Sequence, residues 1–195
     1  MELIMATQNK NKVKEINALL PASIQVKTLE EIGCLEEIPE TQETLEGNAF
    51  QKALFVADKY GVNCFADDTG LEIDALKGEP GVYSARYAGP KKNADDNMNL
   101  VLNKLEGVAD RKARFRTVIA LIIDGVETVF EGIAEGEITK EKSGQEGFGY
   151  DPIFRPTGYA ETFSELTMKE KNEISHRGRA VKKLVEHLSK LQEKS

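Results

Sequence analysis

The chain has 195 residues and a net charge of −7, from 26 lysine and arginine residues against 33 aspartate and glutamate residues. Its length and a hydrophobic content of 40% fit a single globular domain, which we predict to span residues 1–195. The acidic balance argues against a protein that binds nucleic acid through a basic surface. It leaves room for a small phosphorylated ligand, because such a site needs only a few local cations.

The N-terminal sequence MELIMATQNKNK lacks the long apolar segment of a signal peptide, and no apolar run in the chain is long enough to span a bilayer. We therefore expect a cytoplasmic protein with no membrane partner. The two cysteines, Cys34 and Cys64, have no metal-ligand spacing and stand beside apolar residues, so we interpret them as small core residues.

Strands and helices alternate in the first half of the predicted structure. Residues 2–6 form a short apolar run that predicts a buried strand, and apolar residues at helical spacing after it predict a helix that Pro21 ends. The remaining predictions for this half are a strand at 23–28, an acidic loop at 29–43, a helix at 44–60 that Gly61 ends, and a buried strand at 62–66.

The second half begins with glycine-rich sequence, which predicts a long irregular loop at 70–89. A helix is predicted at 93–105, and two long strands at 114–123 and 126–138 are joined by the turn Asp124-Gly125. The last segment, 175–192, has the pattern of an amphipathic helix. Early alternation followed by an antiparallel pair predicts an α/β protein with a mixed sheet.

The polar turn between the first strand and the first helix is a candidate phosphate site. A helix N-terminus offers N–H groups and a positive dipole end, and the turn adds hydroxyl, amide and ammonium donors. Its residues are Thr7, Gln8, Asn9, Lys10, Asn11 and Lys12. The alternative is an ordinary helix cap with solvated lysines, which we favour on this stretch alone.

Two acidic stretches are candidates for a metal site. Asp67 and Asp68 follow a predicted buried strand, where ligand sites of α/β proteins form, and strand alternation should point them to opposite sides. Glu40 with one of these aspartates would suit Mg²⁺, which takes one or two carboxylates. Asn48 and Lys52 share one face of the predicted helix at 44–60. The alternatives are a polar turn at the aspartates and a solvated helix face.

Two later stretches could contact a nucleobase. In GFGYDP the glycines leave the rings of Phe148 and Tyr150 uncrowded for stacking, and Asp151 could accept a base N–H. The alternative is that both aromatic side chains are core residues on one face of a strand. The stretch Lys169–Arg179 gathers cations, a hydroxyl and one of two histidines, and Thr167 with Glu170 predicts a capping box. We interpret the other histidine, His187, as a surface residue.

Taken in order, these stretches resemble the inosine triphosphate pyrophosphatase family, which acts on deaminated purine nucleoside triphosphates. The resemblance runs from Ala6 to about Ala180 and rests on T-x-N-x-x-K, N-A-x-x-K-A, A-D-D-T-G-L, P-G-V-Y-S-A-R-Y-A-G, G-F-G-Y-D-P-I-F and E-K-N-x-I-S-H-R-G-x-A. It implies an elongated mixed sheet flanked by helices, two lobes with a central cleft, and a homodimeric, Mg²⁺-dependent hydrolase. Such an enzyme would split ITP, dITP and XTP into the monophosphate and pyrophosphate, and so cleanse the nucleotide pool.

The resemblance also implies roles for single residues. Asp68 would be the catalytic proton acceptor, and Glu40 and Asp68 would bind the metal. Substrate contacts would come from Thr7 to Lys12, Lys52, Thr69, Phe148, Gly149, Tyr150, Asp151, Lys171, His176 and Arg177. Two alternatives stay open, namely a nucleotide sensor that does not cut its ligand and a pyrophosphatase for other modified nucleotides.

Overall fold

A six-stranded mixed sheet forms the framework of the protein, described in a computed structural model for residues 2–193. The strands are β1 (Glu2–Met5), β2 (Gln25–Lys27), β3 (Cys64–Ile73), β4 (Lys112–Ile123), β5 (Val126–Ile138) and β6 (Phe154–Pro156). Their order in the sheet is β2-β1-β3-β4-β5-β6. β1 pairs in parallel with β2 and β3, whereas β5 and β6 are antiparallel. The predicted α/β fold with a mixed sheet is thus confirmed.

Five α-helices accompany the sheet within residues 2–193: α1 (Lys10–Asn17), α2 (Leu45–Tyr60), α3 (Ala94–Lys104), α4 (Met168–Ile174) and α5 (His176–Gln192). The ends of α2 follow from its caps. The Thr44 side chain accepts the Gly47 N–H, and Gly61 adopts the left-handed conformation (φ 64°) that ends the helix. The predicted capping box of Thr167 and Glu170 is present at the start of α4.

The contacts divide the chain into two compact units. Unit 1 comprises Met1–Asp68, Thr117–Gly132 and Arg177–Ser195, and unit 2 comprises Thr69–Arg116 and Ile133–His176. Each unit has its own apolar cluster. Fully buried members in unit 1 include Leu3, Phe65, Ile119 and Leu184, and those in unit 2 include Leu71, Leu105, Phe154 and Phe163. Each cluster supplies the burial of apolar surface that stabilises its unit.

The predicted end of the third strand is wrong. β3 does not stop at Asp67 but continues to Ile73, so the first four residues of the predicted loop at 70–89 belong to a strand. Leu71 and Ile73 are fully buried on either side of the half-buried Glu72, which is the alternation of a strand. Gly70 is a packing requirement, because a Cβ there would come within 2.6 Å of the Gly81 carbonyl oxygen.

The rest of that predicted loop contains two short 3₁₀ helices, Asp74–Leu76 and Gly81–Arg86. Both cysteines are buried and free, as predicted. Within residues 2–193, none of the helices has the length and apolar character needed to cross a membrane.

Candidate active site

The turn that joins β1 to α1 is capped by its own side chains. Asn9 Oδ1 accepts the backbone N–H groups of Asn11 (3.0 Å) and Lys12 (3.2 Å), and Thr7 Oγ1 accepts that of Asn9 (3.2 Å). The helix-cap interpretation is therefore correct for Asn9. Thr7 is buried, whereas Gln8, Asn9, Lys10 and Asn11 are exposed. Their predicted contact with phosphate stays a prediction.

Lys52 lies at the centre of a buried group of charges in unit 1. Its Nζ donates to Glu40 Oε1 at 2.6 Å and to the Asp67 backbone oxygen at 2.7 Å, and lies 3.7 Å from Asp68 Oδ1. Burial opposes the charge of this ammonium, but the carboxylates of Asp68, Glu40 and Asp67 outweigh burial and raise the pKa of Lys52. α2 thus brings Lys52 to the carboxylates, which excludes the solvated helix face.

The two neighbouring aspartates have different partners, as strand alternation predicts. Asp68 accepts from Asn48 Nδ2 at 3.2 Å, next to Lys52 on α2, whereas Asp67 Oδ2 lies 3.1 Å from Lys12 Nζ on α1. Because β3 continues past both residues, the polar-turn interpretation of this stretch is wrong.

The electrostatic surroundings shift the pKa values of Asp67 and Asp68 in opposite directions. Burial raises the pKa of Asp68, and Glu40 and Asp67 act in the same direction against the opposing effect of Lys52 and Lys12. Burial also opposes the charge of Asp67, but Lys12, Arg177 and Lys52 outweigh burial and keep the pKa of Asp67 far below its usual range. The two neighbouring carboxyl groups therefore differ in acidity, because the pKa of Asp67 is lowered and that of Asp68 is raised.

Arg177 at the start of α5 completes the charged group of unit 1. Its side chain is buried, with Nη1 donating to Glu15 Oε2 and Nε lying 3.4 Å from Asp67 Oδ2. Glu15 is a further member of this group that the sequence does not mark as a site residue, since its only local signal is its position three residues after Lys12 on the same helix. Its partner lies 162 residues away. The predicted contact of Arg177 with a base stays a prediction.

The chemistry of Glu40 and Asp68 fits a hard divalent cation. Both carboxylates lie against the same ammonium, that of Lys52, so both already face one cation. Among residues 2–193 no cluster of three or more histidine, cysteine, aspartate or glutamate residues forms a metal site. Mg²⁺ does not require one, because it takes one or two carboxylates and completes its shell with water and phosphate oxygens.

The predicted base-contacting residues of unit 2 form a second group, centred on Asp151. Its Oδ2 accepts from Lys171 Nζ at 2.7 Å and from the Phe148 backbone N–H at 2.9 Å, and Lys171 Nζ lies 5.1 Å from the centre of the Phe148 ring. Gly147 permits this arrangement, because it has φ 75° and a Cβ there would lie 2.2 Å from Asp151 Oδ2.

Tyr150 and His176 are packed inside unit 2. Tyr150 is a core residue whose hydroxyl donates to the Ser84 carbonyl at 2.7 Å, and burial raises its pKa. The buried imidazole of His176 stacks on Phe115 with 4.5 Å between ring centres. Phe148 is only half-buried, and neither it nor Tyr150 lies in a strand. The core interpretation is thus correct for Tyr150.

The remaining predicted residues complete the two groups. Thr69 is a half-buried residue of β3 and the first residue of unit 2, and Gly149 has a left-handed backbone (φ 64°). The predicted metal and phosphate residues Thr7 to Lys12, Glu40, Lys52 and Asp68 all belong to unit 1. His187, interpreted as a surface residue, is half-buried on α5 and lies 5.4 Å from the Phe130 ring centre.

Curated relatives match this chain over almost its full length. A dITP/XTP pyrophosphatase of Flavobacterium johnsoniae is 57% identical over 189 residues, which cover 97% of this chain and 98% of the relative. The dITP/XTP pyrophosphatase of Bacillus subtilis is 51% identical, with 94% of each chain covered.

Solved structures agree in fold. A HAM1 protein from Coxiella burnetii has a TM-score of 0.90 and 39% identity, with 97% of this chain and 99% of that chain covered. The Ham1 protein of Staphylococcus aureus has a TM-score of 0.88 and 38% identity, with 97% and 98% covered. The Ham1 family itself matches residues 3–187. This chain therefore belongs to the Ham1 family.

Proposed function

We propose that this protein hydrolyses deaminated purine nucleoside triphosphates, namely dITP, XTP and ITP, to the nucleoside monophosphate and pyrophosphate. The observation that carries the proposal is the group formed by the buried Lys52 and Asp68 with the half-buried Glu40, in which a carboxyl group with a raised pKa lies beside a cation. Relatives at 57% and 51% identity are dITP/XTP pyrophosphatases. Such an activity would remove these nucleotides from the cellular pool.

In the proposed reaction a water molecule attacks the α phosphorus in line with the bond to the β phosphate. The water oxygen bonds to phosphorus, the bond from that phosphorus to the bridging oxygen breaks, and pyrophosphate leaves. Asp68 accepts the proton of the water, and burial, which raises the pKa of its carboxyl group, favours this role. Asp67 stays ionised and holds Lys12 and Arg177 next to β3 through its ion pairs with them.

The triphosphate carries several negative charges that the protein must offset. Lys12 and Lys52 supply cations in unit 1, and Thr7 to Asn11 offer polar groups at the N-terminus of α1. Glu40 and Asp68 would hold Mg²⁺, which supplies positive charge at the phosphate oxygens when bound. Catalysis of this kind rests mainly on positioning and electrostatic stabilisation.

The proposed base contacts belong to unit 2, with the exception of Arg177, which belongs to unit 1. Phe148 offers a half-buried ring for stacking, with Thr69, Gly149 and Tyr150 as further predicted contacts. Asp151 and Lys171 fix the loop through their ion pair. Hypoxanthine and xanthine carry an acceptor at position 6, where adenine carries a donor. Donors from His176 and Arg177 would pair with that acceptor, and adenine would leave them unpaired at a cost in binding.

The test is pyrophosphate release from dITP, XTP, ITP, GTP and ATP, with and without Mg²⁺, by the wild type and by Asp68→Asn. We expect release from the first three with Mg²⁺ and a loss of roughly 100-fold or more in kcat for the variant. Circular dichroism should show that the variant stays folded.

The other outcomes separate the alternatives. Binding of a purine triphosphate without release of pyrophosphate would indicate a sensor. Release from other modified nucleotides but not from dITP, XTP or ITP would indicate a different substrate class. A folded Asp68→Asn enzyme with most of its activity would refute the role of Asp68.

We also propose that the two units act as one catalytic domain, that the protein forms a homodimer, and that it acts in the cytoplasm. The dimer is tested by light scattering after size-exclusion chromatography, where we expect twice the chain mass of 21.6 kDa. A single species at the chain mass would refute it.

A further inference from the structure

A cavity of about 300 Å³ in unit 2 is lined by residues to which the proposed reaction assigns no role. Its charged side chains are those of Arg111, which directly precedes β4, Glu137 near the end of β5, Lys140 in the segment that follows, and Arg155 in β6. The chain as a whole is acidic, with a net charge of −7. Three cations and one carboxylate around one cavity are therefore a local reversal of the overall charge.

Arg111 is held rigidly by the backbone. Its Nε donates to the Ile138 carbonyl at 2.7 Å, Nη1 to that of Leu105 at 3.0 Å, and Nη2 to that of Thr139 at 2.7 Å. Each partner is a neutral carbonyl, so the full positive charge of the guanidinium remains. A guanidinium has more N–H groups than these three, and the others have no acceptor among residues 2–193. The remaining N–H groups of this fixed, positively charged side chain can donate to an anion with little loss of side-chain entropy.

The other two cations differ in how far they are neutralised. Arg155 pairs with Glu137, its Nε donating to Oε1 at 3.0 Å. The exposed Lys140 has no hydrogen bond or ion pair within residues 2–193. The cavity therefore keeps an excess of two positive charges, from Arg111 and Lys140, after the one ion pair is counted.

We propose that this cavity is a second anion site, which binds a phosphate group. The remaining guanidinium N–H groups of Arg111 can donate to phosphate oxygens, and the ammonium of Lys140 adds charge without a directional demand. The cavity volume suits a small ligand such as phosphate or pyrophosphate. The proposal is independent of the hydrolase activity, because none of these side chains belongs to the charged group of unit 1.

The experiment is a titration of the ¹⁵N-labelled full chain with inorganic phosphate, pyrophosphate or inosine monophosphate, followed by NMR at constant ionic strength. The Arg111 Nε–H is a direct probe, because it donates to a carbonyl and lies at the cavity. We expect its signal and the Lys140 amide to shift and saturate with both inorganic ions. Shifts at Lys12 or Lys52 would report the proposed active site separately.

Three variants test the charge argument. Lys140→Ala should weaken phosphate binding roughly two- to fivefold, and Glu137→Gln should strengthen it by a similar factor, because each changes one partly exposed charge. Lys142→Ala is the matched control, since Lys142 lies on the same segment but pairs with Asp95 and does not line the cavity. It should leave the affinity unchanged.

Several results would overturn the proposal. One is the absence of a saturable shift at Arg111 and Lys140 with either inorganic ion at concentrations of tens of millimolar. A second is an equal loss of affinity in Lys140→Ala and Lys142→Ala, which would indicate a general charge effect. A third is binding of inosine monophosphate alone, which would indicate recognition of the nucleoside instead of the phosphate group.

Discussion

The buried ion pair of Glu15 and Arg177 gives the sharpest test of how unit 1 is stabilised. Glu15 is 5% exposed and Arg177 2% exposed. Glu15→Ala removes one carboxylate partner from the buried guanidinium, and the carboxylate of Asp67, 3.4 Å from Arg177 Nε, is shared with Lys12 at 3.1 Å. Glu15→Ala should therefore lower the free energy of unfolding by about 3–5 kcal/mol, the usual effect of removing one partner of a buried pair.

Urea denaturation followed by circular dichroism measures this loss, and the melting temperature should fall by roughly 6–20 °C for a chain of this size. Glu15→Gln keeps the shape of the side chain and one acceptor oxygen, so its free energy of unfolding should be lower than that of wild type by about 2 kcal/mol. The double variant Glu15→Met with Arg177→Met should lose less free energy of unfolding than the sum of the losses in the two single variants. The reason is that the double variant removes both charges of the pair and leaves neither of them without the other.

Glu2→Ala is the control for this experiment. Glu2 pairs with Lys27 at 2.9 Å, but both side chains are about half exposed (51% and 46%). An exposed pair of this kind contributes about 0–1 kcal/mol. If Glu15→Ala cost no more than Glu2→Ala, or if the single and double variants were additive, the argument that burial makes the Glu15 pair essential would be refuted.

Three further predictions concern the charged group of unit 1 and the group around Asp151 in unit 2. The pKa of Asp67 is lower in the folded than in the unfolded state, so its contribution to stability is present above about pH 4 and is lost as the pH falls. The difference in unfolding free energy between wild type and Asp67→Asn should therefore shrink below that pH. Gly147→Ala should cost about 1–3 kcal/mol more than Gly158→Ala in urea denaturation, because both have a positive φ but only the first meets Asp151. Lys52→Met should lower the melting temperature without Mg²⁺, and Mg²⁺ should raise that of the variant more than that of wild type, since the ammonium no longer competes for the carboxylates; equal shifts would contradict this.

Local signals in the sequence predicted the elements whose boundaries are set locally. α2 was predicted at 44–60 and observed at Leu45–Tyr60, because Thr44 and Gly61 cap it through neighbours in the chain. The bounds of β5, 126–138, were correct because Asp124-Gly125 and the strand alternation fix them. Side chains alternate between the two faces of a strand, and this alternation correctly predicted that Asp67 and Asp68 have different partners.

Features set by distant residues could not be predicted in this way. The glycine-rich sequence after Asp68 resembled a loop, but Gly70 is a strand residue whose missing side chain makes room for the Gly81 backbone. Glu15 was missed because its partner is 162 residues away. Local composition describes the neighbours of a residue along the chain, whereas both features depend on neighbours in space.

The two consecutive residues His176 and Arg177 of the motif S-H-R make different kinds of contact in the folded protein. His176 and Arg177 are consecutive, yet His176 stacks on Phe115 in unit 2 and Arg177 pairs with Glu15 in unit 1. The first contact is an aromatic packing interaction, which depends on ring shape, and the second is a buried ion pair, which depends on charge. The effect on stability of a change at one position therefore does not predict the effect of a change at the other. His176→Phe tests the aromatic packing of unit 2, and Arg177→Met tests the balance of buried charge in unit 1.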